Sequence, residues 1–89
     1  MKLEAELDMY EKDRENKAID AVRRELDTST QKYGAFRTTH EAYGVLKEEV
    51  DELWDACKKN DLQGMEDEAI QVAAMAIRLI IDARRTRGL

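Results

Sequence analysis

Residues 40–82 read HEAYGVLKEEVDELWDACKKNDLQGMEDEAIQVAAMAIRLIID, two helical patterns interrupted at Asn60 and Asp61. In the first, Ala42, Leu46, Val50, Leu53 and Cys57 recur at helical spacing and form one apolar stripe, with Tyr43 and Trp54 beside it. Its start is expected near Thr38 or Thr39, either of which can cap it, and its end near Lys59. Lys58 and Lys59 suit the negative end of the helix dipole. The second pattern is expected to begin at Asp61 or Gly64 and to run to about Arg84. Met65, Ala69, Val72, Ala76 and Leu79 make one face, and Ile70, Ala74, Ile77 and Ile81 nearly the opposite one. Only a narrow polar line is left, through Asp67, Glu68, Gln71, Arg78 and Asp82. A helix that is apolar nearly all round must be covered on several sides. Two neighbouring helices cannot surround it, so a second subunit is expected against it.

Outward from this hairpin, residues 1–27 hold strong helix formers. Leu3, Leu7 and Tyr10 share a face; Glu11 to Lys17 are all polar; Ala18, Ile19, Val22 and Leu26 resume the apolar pattern, rotated away. One long helix with a solvated middle, or two short ones, fits. Residues 28–38, TSTQKYGAFRT, read as a turn-rich connector with Tyr33 and Phe36 tucked against the bundle. The expectation is a single all-α domain over 1–89. It has an N-terminal helix at 1–27, a connector at 28–38 and a helical hairpin at 39–85, three main helices completed by homo-oligomerisation.

Composition supports this and excludes much else. Eighty-nine residues allow one small domain, which buries only about 60–65% of its unfolded surface. Cys57 is the only cysteine and His40 the only histidine, so no intrachain disulfide and no Cys/His zinc site can form. Proline is absent and glycine sparse, against a turn-rich β fold. Charged residues make up 39% of the chain, mixed in sign without a long heptad run, which argues against a simple coiled coil. The net charge of −5 disfavours nucleic acid as a partner. No apolar run is long enough for a membrane span. MKLEAELDMYEKDRENK has acids where a signal peptide has a basic start and an apolar core, so the expected address is the cytosol.

The most informative residues are acids on core-facing arcs. On the helical wheel Val50, Leu53 and Cys57 fall within roughly 40° of Leu46, and Glu49 about 60° to one side, inside the apolar arc bounded by Val45 and Ala56. Glu52 sits at the edge of that arc, one turn on, so the two acids can aim at one point. Glu48 is on the more exposed flank; Asp51 and Asp55 point away. Glu68 lies beside Met65 and Val72, and Gln71 follows one turn later. If the two helices pack antiparallel, Glu49, Glu52, Glu68 and Gln71 converge. Buried carboxylates without partners are costly. A cation, basic partners or protonation would relieve them. Hard oxygen ligands on rigid helices suit Mg²⁺, and Mn²⁺ fits the same set. A lone glutamate on a helix flank is ordinarily a solvated or ion-paired acid; the matched ExxE and ExxQ on adjacent helices are what favour a metal.

Residues 40–82 also resemble the MazG-like all-α nucleotide pyrophosphohydrolases, particularly the short phage and prophage versions. That family carries EExxE on one helix and ExxD on the next. Glu48, Glu49 and Glu52 supply the first motif as EEVDE, and Glu68-Ala69-Ile70-Gln71 stands at the second. The resemblance covers about half of the chain. It implies a helical bundle assembled as a homodimer or homotetramer. It further implies Mg²⁺, and cleavage of a nucleoside triphosphate between the α and β phosphates to monophosphate and pyrophosphate. By position, Glu49, Glu52 and Glu68 would be metal ligands and Glu48 a helper or the ligand of a second ion, so that Glu48 and Glu49 carry the chemistry. Gln71 departs from the family's aspartate. Its amide oxygen can ligate Mg²⁺ without charge, which implies weaker metal binding or a site that holds a nucleotide without turning it over.

Other candidates carry two readings each. Lys32, Arg37 and Arg78 can meet phosphates, Arg78 best because it shares the polar line of Glu68 and Gln71; its bland alternative is an ion pair with Asp82 or Glu52. Trp54 and Tyr43 can stack a nucleobase or pack in the core. His40 can act as a base, or simply cap or pack its helix. The Arg84, Arg85 and Arg87 tail matches the helix dipole. Two further functions stay open beside the hydrolase. One is a catalytically weak relative that sequesters a nucleotide or nucleotide signal; the other is a helical interaction module without a ligand.

Overall fold

The computed structural model describes residues 2–89, with side chains from Tyr10 onward. Three helices follow one another: α1 over Lys2–Tyr33, α2 over Thr39–Lys58 and α3 over Leu62–Thr86. The described residues form no strand, and no helix among them is long and apolar enough to cross a membrane. The all-helical expectation holds. Leu3 and Leu7, expected to share a face with Tyr10, fall outside the described side chains; Tyr10 itself is exposed.

The first helix runs on to Tyr33, where the sequence suggested a connector from residue 28. Thr28 and Ser29 look like turn residues because their hydroxyls compete for backbone. Here they donate to carbonyls of their own helix, Thr28 Oγ1 to Arg24 at 3.0 Å and Ser29 Oγ to Leu26 at 3.2 Å. The stop comes at Gly34, whose φ of +66° closes the helix with a bond from its N–H to the Thr30 carbonyl. The connector is therefore only residues 34–38.

The hairpin starts and stops as its residues dictate. Thr38 caps α2, its hydroxyl accepting from the Glu41 N–H at 3.0 Å. Asn60, in the left-handed region at φ 55°, ends that helix, and Asp61 caps α3 by accepting from the Gly64 N–H at 3.0 Å.

The third helix packs against both others, while among the described residues α1 and α2 do not pack on each other. The result is an open V with α3 at its base. Its dry core is small: among the described residues only Ala42, Ala56, Ala74 and Met75 are buried apolar side chains. Leu46, Leu53 and Cys57 of the expected α2 stripe are half-buried, but Val50 is 43% exposed. Ala69 and Ile81 of α3 are likewise exposed, so one chain does not cover this helix. Phe36 tucks against the bundle as expected; Tyr33 does not, standing 66% exposed at the last helical position with the Lys32 ammonium 5.2 Å from its ring centre.

Candidate functional site

The arms of the V enclose an open trough of about 670 Å³, floored by α3. Glu25, Thr28, Ser29 and Lys32 of α1 form one wall, and Glu41, Val45, Glu48 and Glu49 of α2 the other. Gln71, Met75 and Arg78 make the floor, and the connector with Phe36 and Arg37 closes one end. Glu25, Glu41, Glu48 and Glu49 thus line the trough together with Lys32 and Arg37, both exposed.

Beside this trough, where α2 crosses α3, three carboxylates meet. Glu49, Glu52 and Glu68 each offer an oxygen within 4.8 Å of the others. The helical spacing of Glu49 and Glu52 does what the wheel requires, and the packing of α3 on α2 brings Glu68 to the same point. Glu49 belongs to both features, since it also lines the trough. Burial of the Glu49 carboxyl raises its pKa to about 7, with the charges of Glu52 and Glu68 adding to the shift. Glu68 is raised in the same direction, by burial first and then by Glu52. One oxygen of Glu68, Oε2, is buried with no hydrogen-bond partner. An orphaned acceptor of this kind costs free energy unless a cation or a proton meets it.

The remaining candidates divide. Glu48 lines the trough but is exposed and outside the three-acid cluster, as its flank position suggested. Gln71 is half-buried in the trough floor, one turn from Glu68. Arg78 is in the floor too, yet it is only 5% exposed and its guanidinium is engaged. It donates to the Gly34 carbonyl, contacts Met75 Sδ at 3.8 Å and lies 4.3 Å from the centre of the Phe36 ring. Neither expected ion pair, with Asp82 or with Glu52, forms: Asp82 instead accepts from the Phe36 N–H at 3.0 Å and from Arg85 at 3.3 Å. Arg78 and Asp82 thus tie the connector to α3.

Trp54 is not brought to the trough. It is 61% exposed, with Tyr43 and Val50 on the outer face of α2, and the Lys58 ammonium lies 5.8 Å from its ring centre. On the helix it points about 140° away from Glu49. His40 is exposed in the first turn of α2.

The sequence reading places the site between the second and third helices with the first helix of a neighbour as its complement; here the chain's own α1 forms that wall. Glu25 lies in the helix as expected, whereas Thr28, Ser29 and Lys32 enter the trough on a helical turn because the helix continues past residue 27. Their helical spacing after Glu25 was the available signal, masked by the turn-like composition of TSTQ. Comparison with known proteins finds no matching family model, no matching curated protein and no matching solved structure.

Proposed function

We propose that this chain is a Mg²⁺-dependent nucleoside or deoxynucleoside triphosphate pyrophosphohydrolase of the MazG-like kind, releasing monophosphate and pyrophosphate. The observation that carries the reading is the convergence of Glu49, Glu52 and Glu68 within 4.8 Å beside a trough that Lys32 and Arg37 also line. The orphaned Glu68 Oε2 is the atom that fits a hard cation best, and three carboxylate oxygens suit Mg²⁺ or Mn²⁺. Such an ion, when bound, supplies charge neutralisation for phosphate oxygens and a more acidic water. Glu49, Glu52 and Glu68 hold it; Lys32 and Arg37 bind the phosphates that reach toward the connector. Glu48, on the trough wall, accepts the proton of the attacking water. The water oxygen bonds to the α-phosphorus in line with the α–β bridging oxygen, whose bond breaks as pyrophosphate leaves. The same reading expects a homodimer or homotetramer working in the cytosol.

Gln71 favours a second reading, in which the trough holds a nucleotide or nucleotide signal without cleaving it. An amide in place of a carboxylate removes one negative charge from the floor. The deciding experiment is pyrophosphate release from a panel of triphosphates with Mg²⁺, for the wild type, Glu49→Gln and Gln71→Asp. Hydrolysis predicts release that falls about a hundredfold or more in Glu49→Gln and rises in Gln71→Asp. No release from wild type or Gln71→Asp, with nucleotide binding seen by calorimetry, supports sequestration. No release, no binding and no Mg²⁺-dependent rise in Tm leaves a helical interaction module.

A further inference from the structure

The connector between α1 and α2 is tied at Gly34, Phe36 and Thr38. The Gly34 N–H bonds to the Thr30 carbonyl, and the Gly34 carbonyl accepts from Arg78. The Phe36 N–H donates to Asp82 Oδ2 at 3.0 Å, from a position far away in the chain. Thr38 serves the first turn of α2, its hydroxyl accepting from the Glu41 N–H and its carbonyl from the Ala42 N–H. Arg37 therefore hangs between two anchored neighbours, Phe36 on α3 and Thr38 on α2.

Among the described residues Asp82 is the only acid that accepts a backbone N–H from another element. Its side chain is 21% exposed, and its second oxygen accepts from Arg85 at 3.3 Å. Arg37 is exposed and lines the trough. Among the described residues it forms no ion pair, although Glu41 lines the same trough. An arginine on a loose loop gives up backbone and side-chain freedom when it grips an anion; one whose neighbours are already anchored gives up less. Glu49 follows Thr38 along α2 by about three turns, roughly 16 Å of axis. An arginine side chain at one end, a carboxylate-held cation at the other and phosphates between them span such a gap.

We infer that Asp82 is a positioning residue for the pyrophosphate half of the substrate: by holding the Phe36 N–H it sets the connector so that Arg37 meets the β and γ phosphates. The inference rests on the pyrophosphohydrolase reading for the direction in which the substrate lies. Asp82 acts as a hydrogen-bond acceptor and not through its charge, since a negative group near phosphates would only repel them.

Calorimetry on the full chain tests it, first with Mg²⁺ alone and then with inorganic pyrophosphate at saturating Mg²⁺. Asp82→Ala is expected to weaken pyrophosphate binding about tenfold, the loss of roughly one charged hydrogen bond, and to leave Mg²⁺ binding unchanged. Asp82→Asn, whose amide oxygen still accepts from the Phe36 N–H, is expected to recover most of the loss. Arg37→Gln is expected to match Asp82→Ala, and the double variant to be no weaker than Arg37→Gln alone, because Asp82 acts through Arg37. Arg37 is exposed, so its variant separates lost anion binding from lost folding. In turnover the same losses appear in KM for the triphosphate, with kcat nearly constant. A wild type without Mg²⁺ binding or without turnover removes the pyrophosphohydrolase reading, and pyrophosphate binding then still decides for or against Asp82. A wild type that does not bind pyrophosphate overturns the inference. So does an Asp82→Ala that binds it as the wild type does or that loses Mg²⁺ as well, an Asp82→Asn that recovers nothing, or additive effects of the two changes.

Discussion

Glu49 and Arg78 are both drawn from solvent, with opposite consequences. Glu49 is an acid drawn into company that disfavours its charge, with a pKa near 7 caused by burial and by the adjacent Glu52 and Glu68. An ordinary glutamate titrates near 4.5, so between these values the folded chain binds more protons than the unfolded one. Stability therefore falls as pH rises from about 4.5 to 7, and stays lower above that. Glu68 works in the same direction. In metal-free buffer Glu49→Gln is expected to flatten this dependence and to raise stability at pH 8 by about 1 kcal/mol or less, the size of partly solvated charge interactions. Circular-dichroism melts at pH 5, 6, 7 and 8 check this; a wild type whose Tm rises from pH 5 to 8 contradicts it. Arg78 is the reverse, a buried cation fully used by its neighbours. Truncating it to alanine deprives the Gly34 carbonyl of its donor and Phe36 of its stacked guanidinium. A loss of about 2–3 kcal/mol is expected in urea unfolding, and Arg78→Lys should recover little of it, since lysine lacks the planar fork.

Among the elements, the break between α2 and α3 is the best specified. Asp61 caps α3 through the Gly64 N–H, and a Cβ on Gly64 would stand only 2.4 Å from Asp61 Oδ2. Gly64→Ala is therefore expected to cost about 1 kcal/mol by displacing the cap, despite the higher helix propensity of alanine. In the Asp61→Ala background the same change should become neutral or stabilising. A double-mutant cycle by chemical denaturation measures that coupling, and additive effects would refute the account. This break was legible in the sequence because the cap, the left-handed Asn60 and the glycine are neighbours along the chain. The end of α1 was not. Thr28 and Ser29 have the composition of a turn, and only their bonds to Arg24 and Leu26 show that the helix keeps them.

For the whole molecule, the open V leaves α3 uncovered on the side away from the trough. A chain with four buried apolar side chains among its described residues has little core of its own. On the proposed homo-oligomer, Tm is expected to rise with protein concentration by several degrees over a hundredfold range, through mass action. A Tm independent of concentration would mean that one chain suffices.

The sequence by itself determined that the fold is helical, placed the ends of α2 and α3 to within a few residues, and set Glu49 and Glu52 one turn apart on one face. Those properties follow from caps, spacing and propensity, which act between residues a few positions apart. It also placed Arg78 on the polar line and Trp54 beside the apolar stripe. Only the tertiary structure decided that the guanidinium is consumed by Gly34 and Phe36, that Trp54 faces away, and that α1 supplies a wall of the trough. Each of those outcomes depends on which groups distant in the chain arrive beside one another, and periodicity within a single helix carries no information about that.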